Sequence, residues 1–212
     1  MNELTDPSPA RRAALHLLAT AFAASSCSQR SDDPPIRATE IYPYLVTAAY
    51  PVPSSATYRE IGNGLRVAIV SEHGGLVRSV TPAEIAELGM SWTDAEKRAA
   101  QNLERLAKDG KIGMQLFREG PAGPFILFGG HWGAAACLLL PRLHGLAAES
   151  LESDALGASV PHRDALLVFP RGDHARRDAM RAMIREKEGD GAKPLTFDLF
   201  ELTDSGPRPL RE

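Results

Sequence analysis

The segment Ser159-Val160-Pro161-His162-Arg163-Asp164 sets a histidine, an arginine and an aspartate side by side between two apolar stretches. These residue types could build an acid/base or anion-binding site. Asp164 would orient His162 for proton transfer, and Arg163 would grip a carboxylate or phosphate through its planar fork. Tyr42 and Trp132 are the aromatic residues that would line a pocket with this trio, although Trp132, next to His131, also reads as a core anchor. A second reading of the same residues is structural. In it, the segment is a turn between two strands, Asp164 accepts backbone N–H bonds and Arg163 stays in solvent, so that Asp164→Ala is costly and Arg163→Ala nearly silent.

Other chemistries find less support in the residues. The six histidines contain no HxH or HExxH pair, and His162 with Asp164 or Asp173 with His174 would need further ligands from elsewhere, so no metal is expected. Cys27 and Cys137 lack the CxxC spacing of a zinc or redox site and read as small buried hydrophobes. There is no GxxxxGK[ST], no GxGxxG after a strand and no GxSxG elbow, so no cofactor is expected and no catalytic residue is assigned. The run Arg171, Arg176, Arg177, Arg181, Arg185 and Lys187 is interleaved with Asp173, Asp178, Glu186 and Glu188, the pattern of a solvated helix face. Without interleaved aromatics it is a poor nucleic-acid platform.

Composition agrees. Over 212 residues, 24 Lys+Arg against 27 Asp+Glu leave a net charge of −3, which excludes a chain built to coat nucleic acid or an anionic membrane. At 43% hydrophobic and 24% charged residues, the chain has the composition of a soluble globular domain.

The elements that would position these side chains follow from pattern. Residues 41–46 are β-branched and aromatic, a strand that Pro43 confines to an edge or an irregular start. Pro51 to Ser55 is a loop. Segments 65–70 and 76–80, joined through His73-Gly74-Gly75, read as a hairpin, as do 112–117 and 125–128 across Gly120-Pro121-Ala122-Gly123-Pro124. Thr81-Pro82-Ala83-Glu84 and Thr93-Asp94-Ala95-Glu96 are capping boxes, the second opening a helix to Lys108 that buries Ala99, Leu103 and Leu106. Residues 133–140 predict a buried helix ended by Pro141. Residues 158–160 and 165–169 are strands around the candidate turn. A helix over 175–188 turns Ala179 and Met183 inward, with Met180 and Ile184 as candidates to join them, and 195–202 alternates as a final strand before Gly206-Pro207. This order predicts an α+β fold: a largely antiparallel, mixed sheet covered by helices, as one domain over 39–212 preceded by an N-terminal helix and polar connector over 1–38.

Within that N-terminal part, Arg11-Arg12 and the apolar run to Ala24 resemble a short signal ending at a lipid-accepting Cys27. Read as a helix, the same run stacks Leu15, Leu18 and Phe22 in an amphipathic stripe. His16 interrupts the run and Ala24 stands where Leu is favoured, so the expectation is a packed helix in a cytoplasmic protein, with lipidation at Cys27 the alternative. No stretch is long and apolar enough for a membrane span.

Ile41-Tyr42-Pro43, Trp92-Thr93 with Ala99-Ala100-Gln101-Asn102-Leu103, Ser159-Val160-Pro161-His162-Arg163-Asp164-Ala165-Leu166 and Pro194-Leu195-Thr196-Phe197 occur in an order and spacing that resemble the YtpQ-like family of uncharacterised bacterial proteins. The resemblance covers about 38–210. It implies a helix just before the Ile-Tyr-Pro motif, and it carries no established activity. Gly133-Ala134-Ala135 departs from the Asp-Ala-Ser run of relatives. By elimination the chain reads as a non-enzymatic binding or adaptor protein that holds a protein partner with a sheet face or the 161–164 turn. The alternatives are a small-molecule or hydrolytic enzyme centred on that turn, and an immunity or accessory protein that neutralises a toxin.

Overall fold

Among the described residues, short β-branched and aromatic runs are cut by turns, many of them glycine-containing, and several consecutive runs pair as hairpins. The computed structural model describes residues 35–50, 56–120 and 122–211. Among them the strands form two sheets in which every pairing is antiparallel. The class is α+β as expected, with two sheets where one was anticipated. The leader or helix expected over 10–27, Cys27 and the loop at 51–55 lie outside the described residues.

The smaller sheet contains β1 (Ile41–Thr47), β2 (Tyr58–Gly62), β3 (Leu65–His73) and β4 (Leu76–Ser79). Strand β3 is central, with β1 along one side and β2 and β4 sharing the other. Pro43, opposite Ile69, therefore sits on an edge strand, where its missing N–H costs no ladder bond. Helix α1 (Pro82–Glu87) starts with the expected capping box, the Thr81 hydroxyl accepting from the Glu84 N–H and the Glu84 carboxylate accepting from the Thr81 N–H. Helix α2 (Trp92–Lys108) starts two residues earlier than its capping pattern suggested. Ser91 is the cap, accepting from the Asp94 N–H, while Glu96 pairs with Arg59 across the surface. Ala95, Ala99 and Leu103 are buried, and Leu106 is half-buried.

The larger sheet has the order β10-β9-β7-β8-β6-β5, from β5 (Gly113–Phe117), β6 (Phe125–Gly129), β7 (Leu156–Ser159), β8 (Ala165–Pro170), β9 (Phe200–Thr203) and β10 (Gly206–Pro209). Strand β8 is apolar at every position because both its faces are covered. Leu166 and Val168 join the main core, while Leu167 and Phe169 pack under α4 (His174–Glu188). Gly157 lies opposite Phe169, and a Cβ there would stand 2.6 Å from the ring, so only glycine fits.

Three expectations need correction. Residues 133–140 form a 3₁₀ helix (Ala135–Leu139) rather than an α-helix, followed by α3 (Leu143–Leu151), which had not been anticipated although Leu143, Ala147 and Leu151 repeat every four residues. Helix α4 buries Met180 and Ile184, leaving Met183 half-buried and Ala179 exposed. The strand expected over 195–202 is broken: the N–H groups of Leu195 and Thr196 bond Pro161 and Val160, Asp198 donates its N–H to the Thr196 hydroxyl, and the ladder resumes at Phe200. The main core lies between the two sheets, where Leu45, Leu65 and Val67 meet Leu103, the 3₁₀ helix, α3 and the inner face of the larger sheet. No described helix is long and apolar enough to cross a membrane.

Candidate functional site

Alternation along β1 sends Ile41 and Leu45 into packed cores and turns Tyr42, Tyr44 and Val46 to the opposite face. On that face Trp132, from the turn after β6, rests against both tyrosines, with ring centroids 5.5 Å from Tyr42 and 5.8 Å from Tyr44 in edge-on geometry. His131 lies 5.0 Å from Trp132. Its Nδ1 accepts the Gly133 N–H at 3.0 Å, which leaves Nε2 to carry the proton of the neutral ring.

Arg163 closes one end of this aromatic row. Its guanidinium donates to the Tyr44 hydroxyl and lies over two rings, 4.9 Å from the centroid of Tyr44 and 5.5 Å from that of Tyr50. Among the described residues no carboxylate pairs with it, although the side chain is half-buried. Burial lowers the Arg163 pKa, with neighbouring Asp164 opposing. At the other end, burial raises the Tyr42 phenol, with Glu72 and Glu40 adding to the effect and Arg105 opposing it. Burial holds His131 below its usual value against the pull of Glu72 and Asp164.

The candidate turn is thus divided. Arg163 is brought to Tyr42 and Trp132 through Tyr44. His162 faces away: it is buried, its Nε2 lies 2.8 Å from the Glu188 carboxylate at the end of α4, and Gly191 presses so closely on the ring that a Cβ would stand 2.0 Å from it. The Asp164 carboxylate does not orient His162. Instead the Asp164 backbone N–H points to His162 Nδ1 at 3.3 Å. The structural reading of the turn is also revised, since the Asp164 side chain accepts no backbone N–H bond among the described residues and Arg163 is not left in solvent. Trp132 is half-buried and packs against a small hydrophobic cluster of Tyr42, Tyr44, Val46 and Val70, apart from the main core.

Tyr44, Tyr50 and His131 belong to the cluster but were not singled out from the sequence. The signal for Tyr44 was present, because it shares the i, i+2 face of β1 with Tyr42. Cys137 is buried and its thiol is pushed up to about 12, which removes it as a nucleophile. Among the described residues no group of three or more His, Cys, Asp or Glu is placed to hold a metal ion. No family model, curated protein or solved structure matches this chain.

Proposed function

We propose that the protein is a non-enzymatic binding or adaptor protein, and that its binding centre is Arg163 on the Tyr44–Trp132 platform, which receives a carboxylate from a protein partner. The observation that carries this is a half-buried guanidinium held in place by a tyrosine hydroxyl and two aromatic faces, with no carboxylate paired to it among the described residues. A desolvated, fixed fork of this kind gains most when a partner supplies the missing anion. The hydrolytic alternative needs His162, Arg163 and Asp164 to face one space, and the pairing of His162 with Glu188 favours binding over that arrangement. A toxin-neutralising role would be a special case in which the partner is a toxin with an acidic surface group.

Affinity capture by the tagged full chain from its own host, run in parallel with Arg163→Lys, tests the proposal. Lysine keeps the charge and loses the planar fork, so a partner retained by wild type should be depleted roughly tenfold or more in the variant. Equal recovery by both would overturn the assignment to Arg163.

Kinship with the YtpQ-like family belongs to the same proposal. It rests on the order and spacing of the shared motifs, two of which meet where Asn102 of the second donates to the Ile41 carbonyl of the first at 2.9 Å. A family member's structure in which the corresponding residues lie apart would remove that support. Cytoplasmic placement is likewise proposed, and intact-mass measurement of the native protein tests it, since acylation at Cys27 would contradict it.

A further inference from the structure

The sheet edges of this molecule are protected unequally. Strand β10 carries Pro207 and Pro209, β1 carries Pro43, and β2 has a break in register between Glu60 and Gly62. Strand β4 is only four residues long and carries Arg78. These are the usual devices that keep edges from pairing with other chains. Strand β5, Gly113-Met114-Gln115-Leu116-Phe117, has none of them: no proline, no charge and an unbroken register with β6. Among the described residues no backbone hydrogen bond reaches it from any other segment. Beside it an apolar groove of about 330 Å³ opens between α2 and α3, lined by Met114, Phe128, Leu140, Leu143 and Leu146. Met114 is 55% and Leu146 43% exposed, unusual for such side chains at a surface that meets only water.

We propose that β5 is the edge through which two copies of this chain pair, antiparallel about a two-fold axis at Gln115, joining the two larger sheets into one. The flanking charges select the second copy as the occupant. With the axis at Gln115, Lys111 of each chain stands opposite Glu119 of the other, and Met114 stands opposite Leu116 on the groove side. Lys111 and Glu119 are exposed, and neither has an ion-pair partner among the described residues. Neighbouring registers are worse. An axis at Met114 sets Lys111 against Phe117, and one at Leu116 sets Arg118 against Met114. Because a two-fold perpendicular to the sheet keeps each side chain on its own face, registers between these are not available. The inference is independent of the Arg163 site.

Sedimentation equilibrium on the full chain tests it, with three variants confined to exposed positions. The wild type is expected to dimerise and Met114→Pro, which removes a donor on the free edge of β5, to be monomeric. Lys111→Glu should weaken the dimer about tenfold, because two symmetry-related attractions become repulsions. Adding Glu119→Lys to Lys111→Glu should restore the wild-type dissociation constant, an outcome specific to this register. A wild type that stays monomeric at the highest soluble concentration overturns the proposal. So does a dimer unaffected by Met114→Pro, or a double charge variant no tighter than Lys111→Glu alone.

Discussion

Arg163 and Asp164 exchange roles relative to the simplest reading of their turn. The Arg163 guanidinium is the partner of the buried Tyr44 hydroxyl, so Arg163→Ala strips that hydroxyl of its bond and should cost about 1–3 kcal/mol. Asp164→Ala removes a carboxylate that accepts no hydrogen bond among the described residues and should change the denaturant midpoint little. Chemical denaturation of the two variants checks the pair, and the opposite ranking would restore the solvent-exposed arginine. His131 adds a pH dependence. Burial lowers its folded pKa below the usual 6.5, so the unfolded chain takes up the proton first as the medium becomes acidic. Its contribution to stability is therefore present above pH 6.5 and is lost as pH falls below that value toward the folded pKa. His131→Asn, which can still accept the Gly133 N–H, should flatten the stability profile over that interval, as thermal melts across pH would register.

At the scale of elements, the best-read parts of the chain were those whose signal is local. The hairpins carry their glycine turns, α1 its capping box, and β1 its edge proline. What could not be read was set by tertiary contacts. The apolar run at 135–139 looks like an α-helix in isolation, and the Ala135 N–H bonding to the Arg163 carbonyl ties it to the candidate turn as a 3₁₀ segment. Asn102 is a second such case, a polar residue on the buried face of α2. Its side chain donates to the carbonyls of Ala38 and Ile41, each at 2.9 Å, and so fixes the start of β1 that presents Tyr42 and Tyr44. Asn102→Ala leaves both carbonyls unpaired and should destabilise by about 1–3 kcal/mol. Leu103→Ala, beside it in the main core, should cost about 2–5 kcal/mol by opening a cavity. Urea titrations report both, and an unchanged midpoint for either would mean that α2 does not anchor the strand.

For the whole molecule, two antiparallel sheets enclose one main core, and the smaller sheet keeps an aromatic face turned away from it. The sequence showed the polar trio and two of the aromatics. It could not show that a three-residue turn sends His162 toward α4 and Arg163 toward β1, because that division depends on Glu188 and Tyr44, distant in sequence. The claim that rests on this division is that Arg163 receives a partner's carboxylate. Trp132 rests on the Tyr44 ring that Arg163 covers, so its fluorescence reports occupancy directly in a Trp92→Phe background. The deciding measurement is a fluorescence titration of that protein with a glutamate-containing peptide capped at both ends, with its glutamine counterpart, and with an uncapped peptide bearing a free C-terminal carboxylate. A saturable change with a carboxylate-bearing peptide, absent with the glutamine peptide and lost in Arg163→Lys, is the expected result. No saturable change with either acid, or equal binding of the glutamine peptide, would contradict it.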